Sequence, residues 1–371
     1  MQTVCGADGV DLGGVMDYVP LGRTGLFVSR LALGAMTFGS GSGSLQKVDQ
    51  AEADRLIGTS LDAGINLFNT AATYGGGQSE EILGKSLASY RDQVVIATKV
   101  SGATAPSVVQ RRLSRRHVLD AVECSLRRLG TEFIDVLFAH HFDPVTPLEE
   151  TLEAFDTVVR QGKVRYIGFS SWPAWAAADA RRIQQLHGWY EFCASESYYS
   201  LLGRDLEHEL IPYCTYAGLG ILVWSPLAMG FLSGRYTRGD IRSQSGRLAT
   251  YDVVPPFDVD HGHDVVDLLR KIAQDHGSTP AQIAIAWVLS RHEITSVLLG
   301  VSTLAQLQDN LGASDIELED SELEALDSAT RPSPIYPTWL RQQIAQRWLR
   351  AGVPADDEFR LRISPNTPLR P

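Results

Sequence analysis

Three residues able to move a proton to or from an oxygen lie at the ends of successive apolar runs. Tyr74 follows Ile65–Phe68, Lys99 closes VVIATK, and His140 follows Ile134–Ala139. A lysine buried at the end of a β-branched run is costly unless it has a partner or a task. An ammonium about 4 Å from a phenol stabilises the phenolate by roughly 4 kcal/mol at an effective dielectric near 20. That draws a tyrosine pKa down from about 10, while desolvation opposes it. A histidine alongside can hydrogen-bond a carbonyl oxygen or relay a proton. Any one of these residues alone reads as structural; three on adjacent strand ends read as a site. Further polar residues at such ends are Asn69, His141, Ser170, Ser171, Glu196 and Ser225 beside Trp224.

Positioning these side chains together requires a sheet whose strand ends share one edge. Ile65–Gly84 (INLFNTAATYGGGQSEEILG) reads as strand, loop and helix in sequence, with Tyr74 in the loop. Buried runs recur at Leu31–Gly34, Ile65–Asn69, Val94–Lys99, Ile134–Ala139, Val164–Phe169, Phe192–Ser195, Ile221–Trp224 and Ser296–Leu299, each followed by a helical stretch. Ser114 suits an N-cap for Arg115–Leu129, and Gly130 suits its stop. Eight β-α units point to a parallel sheet closed as a (β/α)8 TIM barrel. The open, doubly wound sheet is the alternative, but Gly39–Ser44 reads GSGSGS and opens no helix, so no Rossmann fingerprint follows the first strand. Tyr18–Ser29 reads as an N-terminal β-hairpin around Gly22-Arg23-Thr24-Gly25.

Composition bounds the rest. The 371 residues are 44% hydrophobic and carry a net charge of −11, with a pI near 5.3. An acidic surface argues against nucleic acid as a partner. No apolar run approaches a membrane span. Residues 1–16 lack the basic and apolar regions of a signal peptide and read as a disordered lead-in. Residues 17–331 form the expected barrel, and 332–371 a C-terminal extension with a helix around Trp339–Leu349, packed near the barrel. The four cysteines, Cys5, Cys124, Cys193 and Cys214, have no metal spacing and read as reduced, buried thiols of a cytoplasmic protein. No metal site is suggested. Only 5 of the 33 basic residues are lysines, which singles out Lys99.

Over residues 18–329 the chain resembles the aldo-keto reductases. The matching stretches include LGRTGLFVSRLALGAMTFG (Leu21–Gly39), NTAATYGGGQSEEILGKSL (Asn69–Leu87), IATK (Ile96–Lys99), GKVRYIGFSSW (Gly162–Trp172), VWSPLAMGFLSGRY (Val223–Tyr236) and TPAQIAIAWVLS (Thr279–Ser290). The resemblance implies a barrel capped underneath by the hairpin and hydride transfer between a nicotinamide cofactor and a small carbonyl or alcohol. NADP(H) is the expected cofactor, ahead of NAD(H). It further implies Tyr74 as general acid/base, Lys99 as the residue that lowers its pKa, and His140 as the group that orients the substrate oxygen. The cofactor would lie against Thr37, Ser170, Ser171, Glu196, Trp224, Ser225, Leu227, Arg235, Gly300, Ser302, Gln306 and Asn310.

Several positions depart from the family pattern. Its tetrad aspartate is Asn69, its Ser-Asn is Ser170-Ser171, its glutamine is Glu196, and an arginine of the last cofactor loop is Ser302. Glu196 at the glutamine position would accept the carboxamide N–H of the nicotinamide. Exchanging a carboxylate for an amide at Asn69 removes a counter-charge, so Lys99 should be harder to keep protonated. Asn69 is open to three readings: a tolerated change, a specialised reaction, or weakened redox catalysis. Two other functions stay open: a cofactor-binding sensor or regulatory protein, motivated by the loss of Asp, Asn and Gln from their expected positions, and a non-redox enzyme using Tyr74 and Lys99 for proton transfer. Mouth loops Gly102–Arg112 and Tyr236–Gly262 and the tail would set the substrate, possible classes being a sugar or a specialised metabolite.

Overall fold

The computed structural model describes residues 16–39, 47–100, 112–239, 244, 246–250 and 255–350. Most of the expected lead-in, the GSGSGS segment beyond Gly39, parts of both mouth loops and the chain after Arg350 lie outside the described residues. Eight parallel strands close into a barrel, as the β-α alternation predicts: β3 (Leu31–Gly34), β4 (Leu67–Asn69), β5 (Val95–Val100), β6 (Ile134–Ala139), β7 (Val164–Ser170), β8 (Ala194–Tyr198), β9 (Gly220–Trp224) and β10 (Ser296–Gly300). They pair in chain order, and β10 closes the ring between β9 and β3.

The hairpin β1 (Tyr18–Pro20) and β2 (Phe27–Ser29) stands outside the ring. Its turn is pressed against the starts of β8 and β9. Gly22 has φ +59°, and a Cβ there would lie 2.5 Å from the Cys193 carbonyl oxygen and 2.6 Å from the Gly220 nitrogen. Only glycine fits both that dihedral and that approach. Leu21 and Val28 are buried in the same cluster as the lumen residues Ala32, Leu67, Val95, Val136 and Phe138. The hairpin therefore plugs the N-terminal end with apolar side chains.

Several of the helices begin at side-chain caps that the sequence offers. Asp49 accepts from the Glu52 N–H to start α1 (Gln50–Asp62), and α2 spans Gln78–Leu87. Ser114 accepts from the His117 N–H to start α3 (Arg115–Leu129), which ends on left-handed Gly130. α4 (Leu148–Arg160), α5 (Ala174–His187) and α6 (Leu210–Ala217) continue the alternation. A short α7 (Arg247–Thr250) precedes α8 (Val259–Asp275); a Thr279–Gln282 capping box with Pro280 starts α9 (Pro280–Leu289). α10 (Leu304–Leu311), α11 (Asp320–Thr330) and α12 (Thr338–Arg350) follow. Among the described residues no helix is long and apolar enough to cross a membrane. Cys193 and Cys214 are buried free thiols, whereas Cys124 is only half-buried, contrary to the expectation for it; Cys5 lies outside the described residues.

One strand boundary matters for the site. The apolar run Phe192–Ser195 places Glu196 just past a strand, but β8 runs from Ala194 to Tyr198 and carries Glu196 within it. Its polar residues Ser195, Glu196 and Ser197 are all buried. Apolarity marks a buried strand only while its buried side chains are apolar, and Ser195, Glu196 and Ser197 break that run.

Candidate active site

Strand alternation puts Val95, Ala97 and Lys99 of β5 in one row, two residues apart. Val95 and Ala97 belong to the lumen cluster, so Lys99 continues the row towards the carboxyl end. Leu67–Asn69, Val136–Phe138–His140 and Ala194–Glu196 do the same on β4, β6 and β8. Lys99 is fully buried there. Its Nζ donates to Asn69 Oδ1 at 2.5 Å, to the Thr70 carbonyl at 3.0 Å and to the Tyr74 hydroxyl at 3.4 Å. It pairs with Glu196 Oε1 at 3.0 Å, and Asn69 Nδ2 donates to Glu196 Oε2 at 2.8 Å.

This corrects the expectation drawn from Asn69. Burial lowers the Lys99 pKa, but the Glu196 carboxylate and the Tyr74 oxygen outweigh it, and the net shift is upward. The counter-charge absent from position 69 arrives from β8. Tyr74 is pushed above the usual phenol range because burial outweighs the Lys99 charge; Glu196 adds to the rise, and Arg247 opposes it. A phenol in that state is a proton donor at neutral pH.

The loop that carries Tyr74 is fixed from below. Its N–H donates to the Ala71 carbonyl at 3.0 Å, and left-handed Gly75, Gly76 and Gly77 turn the chain into α2. A Cβ on Gly77 would fall 2.7 Å from the Arg128 side chain. Arg128 pairs with buried Glu80, which also accepts from Thr98 Oγ1 at 2.6 Å on β5. Ser79 Oγ donates to the Ala35 carbonyl at 2.7 Å. The start of α2 is thus tied to β3, β5 and α3, which sets the reach of Tyr74.

His140 packs edge-on to Tyr74, with ring centroids 5.9 Å apart, and stacks on His141 at 4.2 Å. Burial, then the Lys99 charge, then His141 hold its pKa well below the histidine range, so it is neutral at pH 7. Its Nδ1 has no hydrogen-bond partner among the described residues. His141 is exposed.

A cavity of about 1210 Å³ opens over these groups. Every expected site residue except Lys99 lines it: Asn69, Tyr74, His140, Thr37, Ser170, Ser171, Glu196, Trp224, Ser225, Leu227, Arg235, Gly300, Ser302, Gln306 and Asn310. Left-handed Ser171, Ser225, Ala228 and Met229 shape the loops after β7 and β9, where such strain persists only if the surrounding structure holds it. The Ser225 hydroxyl accepts from the Met229 N–H at 2.9 Å. Gln306 Oε1 accepts from the Ser302 N–H at 2.9 Å and from its hydroxyl at 3.2 Å. Thr37 Oγ1 donates to the Val301 carbonyl at 2.6 Å. Of the neighbouring tyrosines, Tyr199 packs on Trp287, and Tyr198 packs on Trp224 at 5.1 Å.

The sequence reading missed two cations in this wall, Lys47 and Arg247. Arg247 donates to Met36 Sδ at 3.2 Å. Lys47 is one of only five lysines, which was the available signal. Arg247 sits in the long polar loop after β9, where spacing gives no guide.

A model of the aldo/keto reductase family matches residues 30–331. The chain belongs to that family. It is 34% identical over 342 residues to a versiconal hemiacetal acetate reductase of Aspergillus parasiticus, covering 87% of this chain and 99% of that protein. It is 33% identical to an aldo-keto reductase of Alternaria alternata, over 86% of this chain and 93% of that protein. It is also 36% identical to a probable voltage-gated potassium channel subunit beta of Arabidopsis thaliana, over 81% and 92%. Aldo-keto reductases generally bind a nicotinamide cofactor, and the relatives named as reductases support an oxidoreductase.

Proposed function

We propose that this aldo-keto reductase interconverts a small carbonyl compound and its alcohol using NADP(H), with Tyr74 as general acid in reduction and as base in oxidation. The observation that carries the reading is the buried contact of the Tyr74 hydroxyl with Lys99 at 3.4 Å, on the floor of a large cavity also lined by neutral His140. A reduced nicotinamide, when bound, supplies the hydride. Tyr74 donates its proton to the substrate oxygen, and Lys99 stabilises the phenolate left behind. His140 hydrogen-bonds the same oxygen without adding charge.

The cavity wall fits an anionic dinucleotide. Lys47, Arg235 and Arg247 line it against Glu196 and Asp309, and Glu196 is neutralised by Lys99. The surplus is positive, which favours phosphate groups. Lys47 favours NADP(H) over NAD(H) despite Ser302: it lines the same cavity, and its backbone N–H donates to the carbonyl of Thr37, whose hydroxyl bonds Val301 beside Ser302. The substrate class is a specialised metabolite, by analogy with the fungal hemiacetal acetate reductase named above.

Replacing Tyr74 by Phe removes the transferable proton while leaving the ring. NADPH-dependent turnover should be abolished while NADPH still quenches tryptophan fluorescence; turnover equal to the parent protein would sink the mechanism. The similarity to a channel subunit motivates a second reading, a cofactor-responsive regulatory protein. Tight NADPH binding with no reduction across a broad carbonyl panel would favour it.

A further inference from the structure

Asn69 and Glu196 grip Lys99 from strands four places apart in the eight-stranded ring, β4 and β8. The three side chains close a triangle: ammonium to amide oxygen at 2.5 Å, ammonium to carboxylate at 3.0 Å, amide N–H to carboxylate at 2.8 Å. Only one amide orientation satisfies it, since the flipped form would set donor against donor and acceptor against acceptor. All three residues are buried. A buried ammonium requires a compensating charge, and an amide supplies none.

We propose that Glu196 is the counter-ion of Lys99 and thereby a positioning residue for proton transfer by Tyr74, with Asn69 as the neutral bridge between them. This rests on the reading of Tyr74 as the proton donor. The triangle then holds one carboxylate, and its position on β8 rather than β4 follows from the amide at 69. The carboxylate and amide form a matched pair: exchanging them conserves charge, hydrogen-bond count and the lysine's partners. Changing either alone does not. Asn69→Asp sets two carboxylates within hydrogen-bonding distance, where they share a proton. Glu196→Gln leaves the ammonium facing two amides. Among the described residues, the other titratable groups around the triangle are Tyr74 before α2, His140 and His141 after β6, and Arg247 on α7. None of them is a second carboxylate.

The test is a cycle of four proteins: parent, Glu196→Gln, Asn69→Asp, and the double exchange. For each, kcat for NADPH-dependent reduction, its pH profile and the melting temperature are measured. Glu196→Gln should lower kcat by about 100-fold, the scale of a misplaced reacting group. It should also move the alkaline limb down by about one pH unit or more, because Lys99 without its counter-ion gives up its proton at lower pH. Asn69→Asp should also lower kcat. The double exchange should exceed both single variants in kcat and recover the parent pH limb and melting temperature. A parental profile in Glu196→Gln, or a double variant no better than the worse single one, would overturn the proposal. If a single variant fails to fold, the melting temperature of the double variant decides, recovery supporting and no recovery refuting. Intact turnover in Tyr74→Phe would defeat the function reading instead, and the coupling in melting temperature would still judge the pair.

Discussion

Along β5, Val95 and Ala97 pack against apolar neighbours, and Lys99, one step further in the same row, meets a carboxylate, an amide and a phenol. β4, β6 and β8 repeat the change from Leu67 to Asn69, from Phe138 to His140 and from Ala194 to Glu196. The lower lumen is closed by the hairpin and lined by an apolar cluster; the upper lumen is charged and faces the cavity. The two layers share strands, register and burial, and differ in what lies beyond them. The apolar layer excludes water from beneath the polar one. That strengthens each electrostatic contact of Lys99 and raises the cost of leaving any of them unmade.

The largest effect should follow from removing the centre of the polar layer. Lys99→Met strands Glu196 in a dry site, costing about 3–5 kcal/mol in urea unfolding. It should also lower turnover by about a thousandfold, as for loss of a charged stabilising group. The apolar layer should separate these readouts. Phe138, the register partner of Lys99, supports the floor. Phe138→Ala should cost about 3–5 kcal/mol of stability while kcat stays near the parent value well below the melting point. A kcat loss matching that of Lys99→Met would mean that the floor takes part in the chemistry.

A gentler probe adds volume to the floor. A Cβ on Gly168 of β7 would come 2.5 Å from the Phe138 ring and 2.7 Å from the Ala194 carbonyl. Gly168→Ala should cost about 1–3 kcal/mol through overpacking, read as a lower melting temperature. The mildest test leaves the chain intact. Reduction needs Tyr74 protonated, and its pKa lies above the ordinary phenol value of about 10. Reduction should therefore hold level through neutral pH and fall only in the alkaline range, since neutral His140 adds no limb near pH 7. Oxidation needs the phenolate and should climb about tenfold per pH unit over the same range. A reduction limb between pH 6 and 8 would break this assignment.

The barrel was legible because its signals are local. Ser114 and Gly130 bound α3 at the expected residues, and the apolar run Ile134–Ala139 coincides with β6. The positions of Tyr74, Lys99 and His140 were likewise legible, because each follows an apolar run. Glu196 was misplaced because a strand ending in buried polar residues looks like a loop. Arg247 was missed because its place in the wall depends on how a long segment folds back. The sequence by itself determined the elements, their order, the barrel and the residues offered at its mouth, since caps, turns and period-two burial depend on near neighbours. Only the tertiary structure decided which carboxylate serves Lys99. Asn69 and Glu196 are 127 residues apart and meet only when the ring closes. The charge that a local reading of Asn69 finds missing is supplied across the lumen, because a buried ammonium is satisfied by distance in space and not along the chain.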